Sequence, residues 1–362
     1  MSVLTMKRPA VPVDEIRLYQ FSLPYRRALL GDPMRAGFLV CLRRGGLEGW
    51  GEISPWPGLH EQSVDTLADE LPAMMRKCCD RGLPESMIQA VLPALNDAEP
   101  ATETVRATRD LLHGLSPLVA WGMVSASLDL LASEEGVSVA QLFNPQAPDA
   151  IQIAALILEE QDFAADDFSD FSAIKVKSRH ANGDALWAKV RERLPDIEIR
   201  ADGNRMLTAA EAWRMIQSGQ HLGIRFFEEP APPAQLAELL QKGVAIALDE
   251  YLSGPDPDPS VLQGASAWVL KPSVLGPFRT FSLLHKDKPV ILSSPFESAV
   301  GRRNLAQLQA AFSPGEAAGL GVDWYFSRDL CAPPQSRARF SCDAPLQIDT
   351  GQLREVGRWS RA

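Results

Sequence analysis

No stretch of this sequence is apolar for long enough to span a bilayer: runs such as "AALIL" fall far short of the roughly 20 residues that a membrane helix needs. The opening residues, "MSVLTMKRPAVPVDE", contain no apolar core of signal-peptide length. Cysteine is scarce. The five residues Cys41, Cys78, Cys79, Cys331 and Cys342 are scattered, odd in number and without metal-site spacing. They give no disulfide framework and fit a reducing cytoplasm. An excess of positive charge is also missing. The formal net charge of −10 speaks against a general nucleic-acid or anionic-membrane binder. A small anionic substrate in a locally basic pocket stays compatible with it. Neither a Gly-x-Gly-x-x-Gly run nor a P-loop occurs, so nucleotide binding has no local support.

What is present is the composition of an ordinary globular protein, 46% hydrophobic and 23% charged. A length of 362 residues suggests one large domain and a smaller one. Near the start, "EIRLYQFSL", "GFLVCLRR" and "LEGWGEIS" read as strands of an antiparallel meander, the last two joined at Gly45-Gly46. Helical stretches follow. One runs from a plausible N-cap at Ser63 to Gly82, with Pro72 placed to kink or divide it; others cover 102–115 and 117–135.

From about residue 150 short β-rich runs alternate with helical ones: "IQIAALIL", "AIKVKS", "IEIRAD", "IRFFEE", "AIALDE", "AWVLKP" and "PVILSS". The polar residues that end them, Lys177, Asp202, Glu228, Asp249, Lys271 and Ser293, are 25, 26, 21, 22 and 22 residues apart. That is the period of βα units in a barrel. An open doubly wound sheet shares the local pattern but usually binds ligands at one switch point.

"AIKVKSR" poses the sharpest question. Lys175 and Lys177 point the same way from one strand, where two ammonium groups repel each other and resist burial. Either the strand is an edge facing water or negative charge lies nearby. In "RADGNRMLTAAEAW", the Thr208–Glu211 capping box favours strand, loop, helix over a hairpin, leaving Asp202 at a strand tip. Glu228 and Glu229, stopped by Pro230, alternate in direction, so one can face the barrel mouth. Asp249 and Glu250 repeat the design, and Lys271 precedes Pro272. In a barrel these ends share one rim. Carboxylates on successive strands suit a hard divalent cation such as Mg²⁺, with Mn²⁺ able to substitute. Flanking lysines suit proton abstraction beside a carboxylate.

The lysine pair, "ADGN", "EEP", "LDE" and "LKP", in this order and spacing, resemble the muconate-lactonizing-enzyme subgroup of the enolase superfamily. "LEGWGEISPWPGLHEQS", "VLKPSVLGPF" and "ILSSPFESAVGRRNLAQLQAAF" are similar to the proteobacterial o-succinylbenzoate synthase family within it. The resemblance implies an α+β capping domain (1–148), a modified (β/α)7β TIM-type barrel (149–330) and a segment (331–362) packing back on the capping domain. It implies a hydro-lyase of menaquinone synthesis that dehydrates 2-succinyl-6-hydroxy-2,4-cyclohexadiene-1-carboxylate to o-succinylbenzoate. Asp202, Glu228 and Asp249 would hold Mg²⁺. Lys177 would be the base, Lys271 the stabiliser of the enediolate and Lys175 an electrostatic helper. Asn204, Ser293 and Ser294 would meet the substrate, a small carboxylate; the serines read equally as a loop cap. Residues 24–35 look short for a mobile substrate-covering loop, Arg200 reads as a brace for the carboxylates, and His180 reads as a surface residue. The rival readings are an N-succinylamino acid racemase or dipeptide epimerase on the same scaffold and, from another class, a non-catalytic metal-binding scaffold.

Overall fold

Two successive residues with left-handed backbone make each of the first two chain reversals. Glu15–Leu29 (β1) turns at Leu30 (φ 52°) and Gly31 (φ 85°) into Asp32–Arg44 (β2). The second strand turns at Gly45 (φ 58°) and Gly46 (φ 84°) into Leu47–Ile53 (β3). Such two-residue turns match the strand twist, and so the three strands form an antiparallel meander. The computed structural model describes residues 11–81, 84–92, 102–178, 183–284, 288–334 and 336–360.

Helices Val64–Arg81 (α1), Pro84–Val91 (α2), Glu103–His113 (α3), Pro117–Glu135 (α4) and Val139–Phe143 (α5) follow. Ser63 caps α1 through Thr66 N at 3.1 Å, and the helix continues through Pro72 rather than dividing there. The expected stop at Gly82 lies outside the described residues. α4 is buried from Leu118 to Ala132, with Asp129 the one charged residue in that span. It lies so close to β3 that a Cβ on Gly51 would sit 2.0 Å from Gly122 O, which only glycine avoids.

Then come seven βα units: Ala150–Ile157 (β4), Glu160–Ala165 (α6), Ala173–Lys177 (β5), Gly183–Arg193 (α7), Glu198–Asp202 (β6), Ala209–His221 (α8), Ile224–Glu228 (β7), Pro233–Gln241 (α9), Ile246–Leu248 (β8), Pro259–Gly264 (α10), Ala267–Leu270 (β9), Pro272–Leu284 (α11), Val290–Leu292 (β10) and Ala299–Phe312 (α12). Ala318–Gly321 (β11) is the eighth strand. All neighbours in the order β10-β9-β8-β7-β6-β5-β4-β11 are parallel, and a bridge between Ser293 and Gly319 closes the ring into a (β/α)7β barrel. Arg339–Ser341 (β12) pairs with β4, and Leu353–Ser360 (β13) pairs with β1, giving the N-terminal sheet the order β13-β1-β2-β3.

The two bodies meet along a polar seam. Glu52, near the end of β3, accepts Ser298 N at 3.0 Å and Gly301 N at 2.9 Å, so it caps α12 from outside the barrel. Arg35 of β2 donates to Phe296 O and Ser54 O, each at 2.8 Å. The stretch 24–35, expected to be a short loop, is instead the far end of the β1–β2 hairpin. It is docked on the barrel: Ser327 N donates to Pro24 O at 2.9 Å, and Arg27 pairs with Glu159 and Asp162. Among the described residues no helix is long and apolar enough to cross a membrane.

Candidate active site

Strand register assembles the site. Lys177 lies opposite Asp202, and Asp202 opposite Glu228, so the tips of β5, β6 and β7 are level. Ile199 and Ala201 face the surrounding helices, which turns Asp202 inward. Gly203 lets the chain leave β6 tightly, since a Cβ there would come within 2.6 Å of Pro230 Cα. Asn204 (φ 46°) and Arg205 (φ 58°) then bend back over the rim.

The lysine pair faces carboxylates, so negative charge, not water, accounts for it. Lys175 Nζ stands 2.9 Å from Asp202 and 3.0 Å from Glu228. Lys177 Nζ donates to Asp202 Oδ2 at 2.5 Å and to Asn204 Oδ1 at 2.6 Å. Across the ring Lys271 pairs with Asp249 and, at 2.9 Å, with Glu250. Glu228 is the inward member of its pair. Glu229, with φ 35°, turns outward and accepts Asp249 N and Tyr251 N at 2.7 Å each, while Arg205 holds its other oxygen.

Burial is the largest single influence on each of these groups, but neighbouring charges reverse its sign at several of them. It pushes Lys177 down, Asp202 opposes that and Lys175 adds to it; the net shift is downward. For Lys175 and Lys271 burial also acts downward, but Asp202 and Glu228 around the first, and Asp249 and Glu250 around the second, outweigh it. Lys177 is therefore the member of the trio whose proton is loosened. Burial and the charge of Asp202 push Glu228 well above the ordinary carboxylate range, whereas the two lysines hold Asp202 below it.

Asp202, Glu228 and Asp249 are all buried, and Glu228 lies within hydrogen-bond reach of both others. Among the described residues no three His, Cys, Asp or Glu side chains surround a point at metal-ligand distance, because lysine ammoniums lie between the carboxylates. The donor set nevertheless fits a divalent cation. The oxygens are hard, dry and crowded enough to raise Glu228, a repulsion that a 2+ charge relieves.

A cavity of about 1090 Å³ opens above the rim. Lys175, Lys177, Asn204, Glu250, Lys271, Ser293 and Ser294 line it. Ser294 also takes the loop-cap role, accepting Glu297 N at 2.8 Å. The outer wall comes from the first domain, through Arg27 to Leu30 and Trp56 to Leu59. Arg200, read as a brace for the rim carboxylates, lies deeper: it holds Glu198 and Ala317 O and stacks over Phe226. His180 lies outside the described residues. Arg205 and its pairing with Glu229 escaped the sequence reading, because they depend on left-handed backbone at non-glycine residues. "EISPWPGLH" was the available signal for the outer wall, and its Pro-Gly pair marks the turn.

Comparison with known proteins agrees along the chain. Residues 13–98 match the family model "MenC, N-terminal domain" and residues 158–275 match "Enolase C-terminal domain-like". An o-succinylbenzoate synthase of Proteus mirabilis is 27% identical over 94% of this chain and 98% of its own. MenC from Desulfotalea psychrophila superposes with a TM-score of 0.66 at 22% identity, covering 88% of this chain and 97% of its own. An N-succinyl Arg/Lys racemase from Bacillus cereus superposes with a TM-score of 0.76 at 15% identity, covering 96% and 99%. With matches of this kind to both of its bodies, and a barrel rim of lysines and carboxylates between them, the chain belongs to the enolase superfamily and is an enzyme of the lyase class.

Proposed function

We propose that this enzyme dehydrates 2-succinyl-6-hydroxy-2,4-cyclohexadiene-1-carboxylate to o-succinylbenzoate, a step of menaquinone synthesis. One observation carries the reading: Lys177 and Lys271 stand on different strands of one rim, on either side of three buried carboxylates, under a wall built by the stretch that matches the MenC N-terminal model. Lys177, whose proton is loosened by burial, takes the proton α to the ring carboxylate. Lys271, held cationic by Asp249 and Glu250, faces the negative charge that develops on that carboxylate. The carbon–oxygen bond at the 6-hydroxyl breaks, the protonated Lys177 returns its proton to the departing hydroxide as water, and the ring becomes aromatic. Asn204 orients the Lys177 amine. A divalent cation held by Asp202, Glu228 and Asp249, Mg²⁺ or Mn²⁺, would supply further positive charge to the carboxylate.

The test is incubation with the cyclohexadiene carboxylate. Appearance of the ultraviolet absorbance of o-succinylbenzoate supports the assignment. Racemisation of N-succinylamino acids without any aromatic product would replace it with an isomerase using the same two lysines.

A further inference from the structure

The turn that follows Lys271 contains an acceptor that its own helix cannot serve. Four residues beyond Ser273 stands Pro277, which has no N–H, and Gly276 breaks α11 between them with φ 73° and ψ 167°. The Ser273 carbonyl therefore lacks the usual helical donor. His60 of the first domain supplies one, its Nε2 lying 3.2 Å from Ser273 O. The other ring nitrogen fixes the direction of this bond. Nδ1 accepts the Trp56 backbone N–H at 2.8 Å, so it carries no proton and Nε2 does. Burial pushes the His60 imidazolium down to about 4, which keeps the ring in this neutral form.

The segment that His60 closes is a wall of the cavity. Leu59 N and His60 N both donate to Trp56 O at 3.1 Å, Gly58 turns with φ 84°, and the Trp56 ring stacks on Phe296 at 4.7 Å. The carbonyl that His60 reaches lies two residues after Lys271, in a turn where Val274 N and Leu275 N donate to Lys271 O at 2.9 and 3.0 Å.

We propose that His60 is a positioning residue whose Nε2 fixes the turn carrying Lys271 and whose Nδ1 fixes the substrate-facing loop, so that the first domain places a lysine of the second. The inference rests on the proposed reaction only for what Lys271 acts upon.

Two isosteres separate the two bonds. Glutamine brings an amide N–H to the place of Nε2, and asparagine brings a carbonyl oxygen to the place of Nδ1. In the full-length enzyme with Mg²⁺, His60→Asn lowers kcat about tenfold, because the turn is released. His60→Gln leaves kcat within about threefold and raises KM roughly fivefold, because only the loop is released. Hydrogen exchange in the free protein gives a second readout: the amides of Val274 and Leu275 exchange faster in His60→Asn and unchanged in His60→Gln. Equal kcat in wild type and His60→Asn, or unchanged exchange of those amides, overturns the proposal. If the wild type itself forms no aromatic product, the assigned reaction falls, and the exchange comparison alone decides the tether.

Discussion

Lys177 and Lys271 carry the same ammonium, and their neighbours make them different reagents. Lys177 shares a single aspartate with Lys175, while Lys271 has two carboxylates to itself. Lys177→Ala should therefore stop α-proton exchange in deuterated water and lower turnover by about 10²–10⁴-fold. Lys271→Arg, which keeps the cation, should retain more activity than Lys177→Arg; exchange at the wild-type rate in Lys177→Ala would give the base role to Lys271. A second residue, Glu297, bears on stability. Burial and the charge of Glu52 push it up to about 7, and its Oε2 has no partner. Its folded value lies above the unfolded one, so the protonated acid is the form the fold accommodates. Stability is fully present below about pH 4.5 and falls as pH rises through 7, by at most roughly 3 kcal/mol. Glu297→Gln should remove that fall, measured as the difference in thermal midpoint between pH 5 and pH 8. The strand-tip lysines and carboxylates were legible because a charge ending an apolar run is conspicuous. Glu297 was not, since its surroundings come from residues more than 200 positions away in sequence as well as from its own loop.

At the scale of elements, the rim is the working unit. The ends of β6, β7 and β8 bring Asp202 and Asp249 each within reach of Glu228, and register alone makes β5, β6 and β7 level. Excess chelator should abolish turnover and Mg²⁺ restore it, and Asp249→Asn should weaken metal affinity while leaving far-ultraviolet circular dichroism intact. Full activity in chelator would remove the metal from the proposal. Seven of the eight barrel strands could be read from their apolar runs. The eighth, "AGLG", is half glycine and offers almost no apolar signal; it is recognisable only because β4 and the Ser293–Gly319 bridge hold it. The β1–β2 hairpin was read too short for a related reason: beyond Pro24 the alternation is broken by a register shift and a run of arginines.

For the whole molecule the seam matters most. Glu52 serves four donors, the backbone N–H groups of Ser298 and Gly301 and the hydroxyls of Ser298 and Ser54, all buried. Glu52→Ala leaves them without an acceptor and should destabilise the protein by about 3 kcal/mol or more, read as a lower denaturant midpoint. The seam was invisible in sequence because its two halves are separated by 246 residues. The pairing of β13 with β1 has a consequence of another kind. Glu15 meets Ser360 in that register, so the first strand waits for its outer partner while about 345 residues are synthesised, which takes tens of seconds on a ribosome. Through that interval one edge of the nascent meander presents unpaired backbone groups, an invitation to join another chain's strand. Within the barrel most strands pair with the next strand in sequence, and the longest wait, that of Ile153 in β4 for Ala318 in β11, is about half as long. Biogenesis of this enzyme is thus most exposed to misassembly at its N-terminal sheet, and a circular permutant joining residue 360 to residue 15 through a short linker should shorten the wait and raise the yield of folded protein from translation in the absence of chaperones.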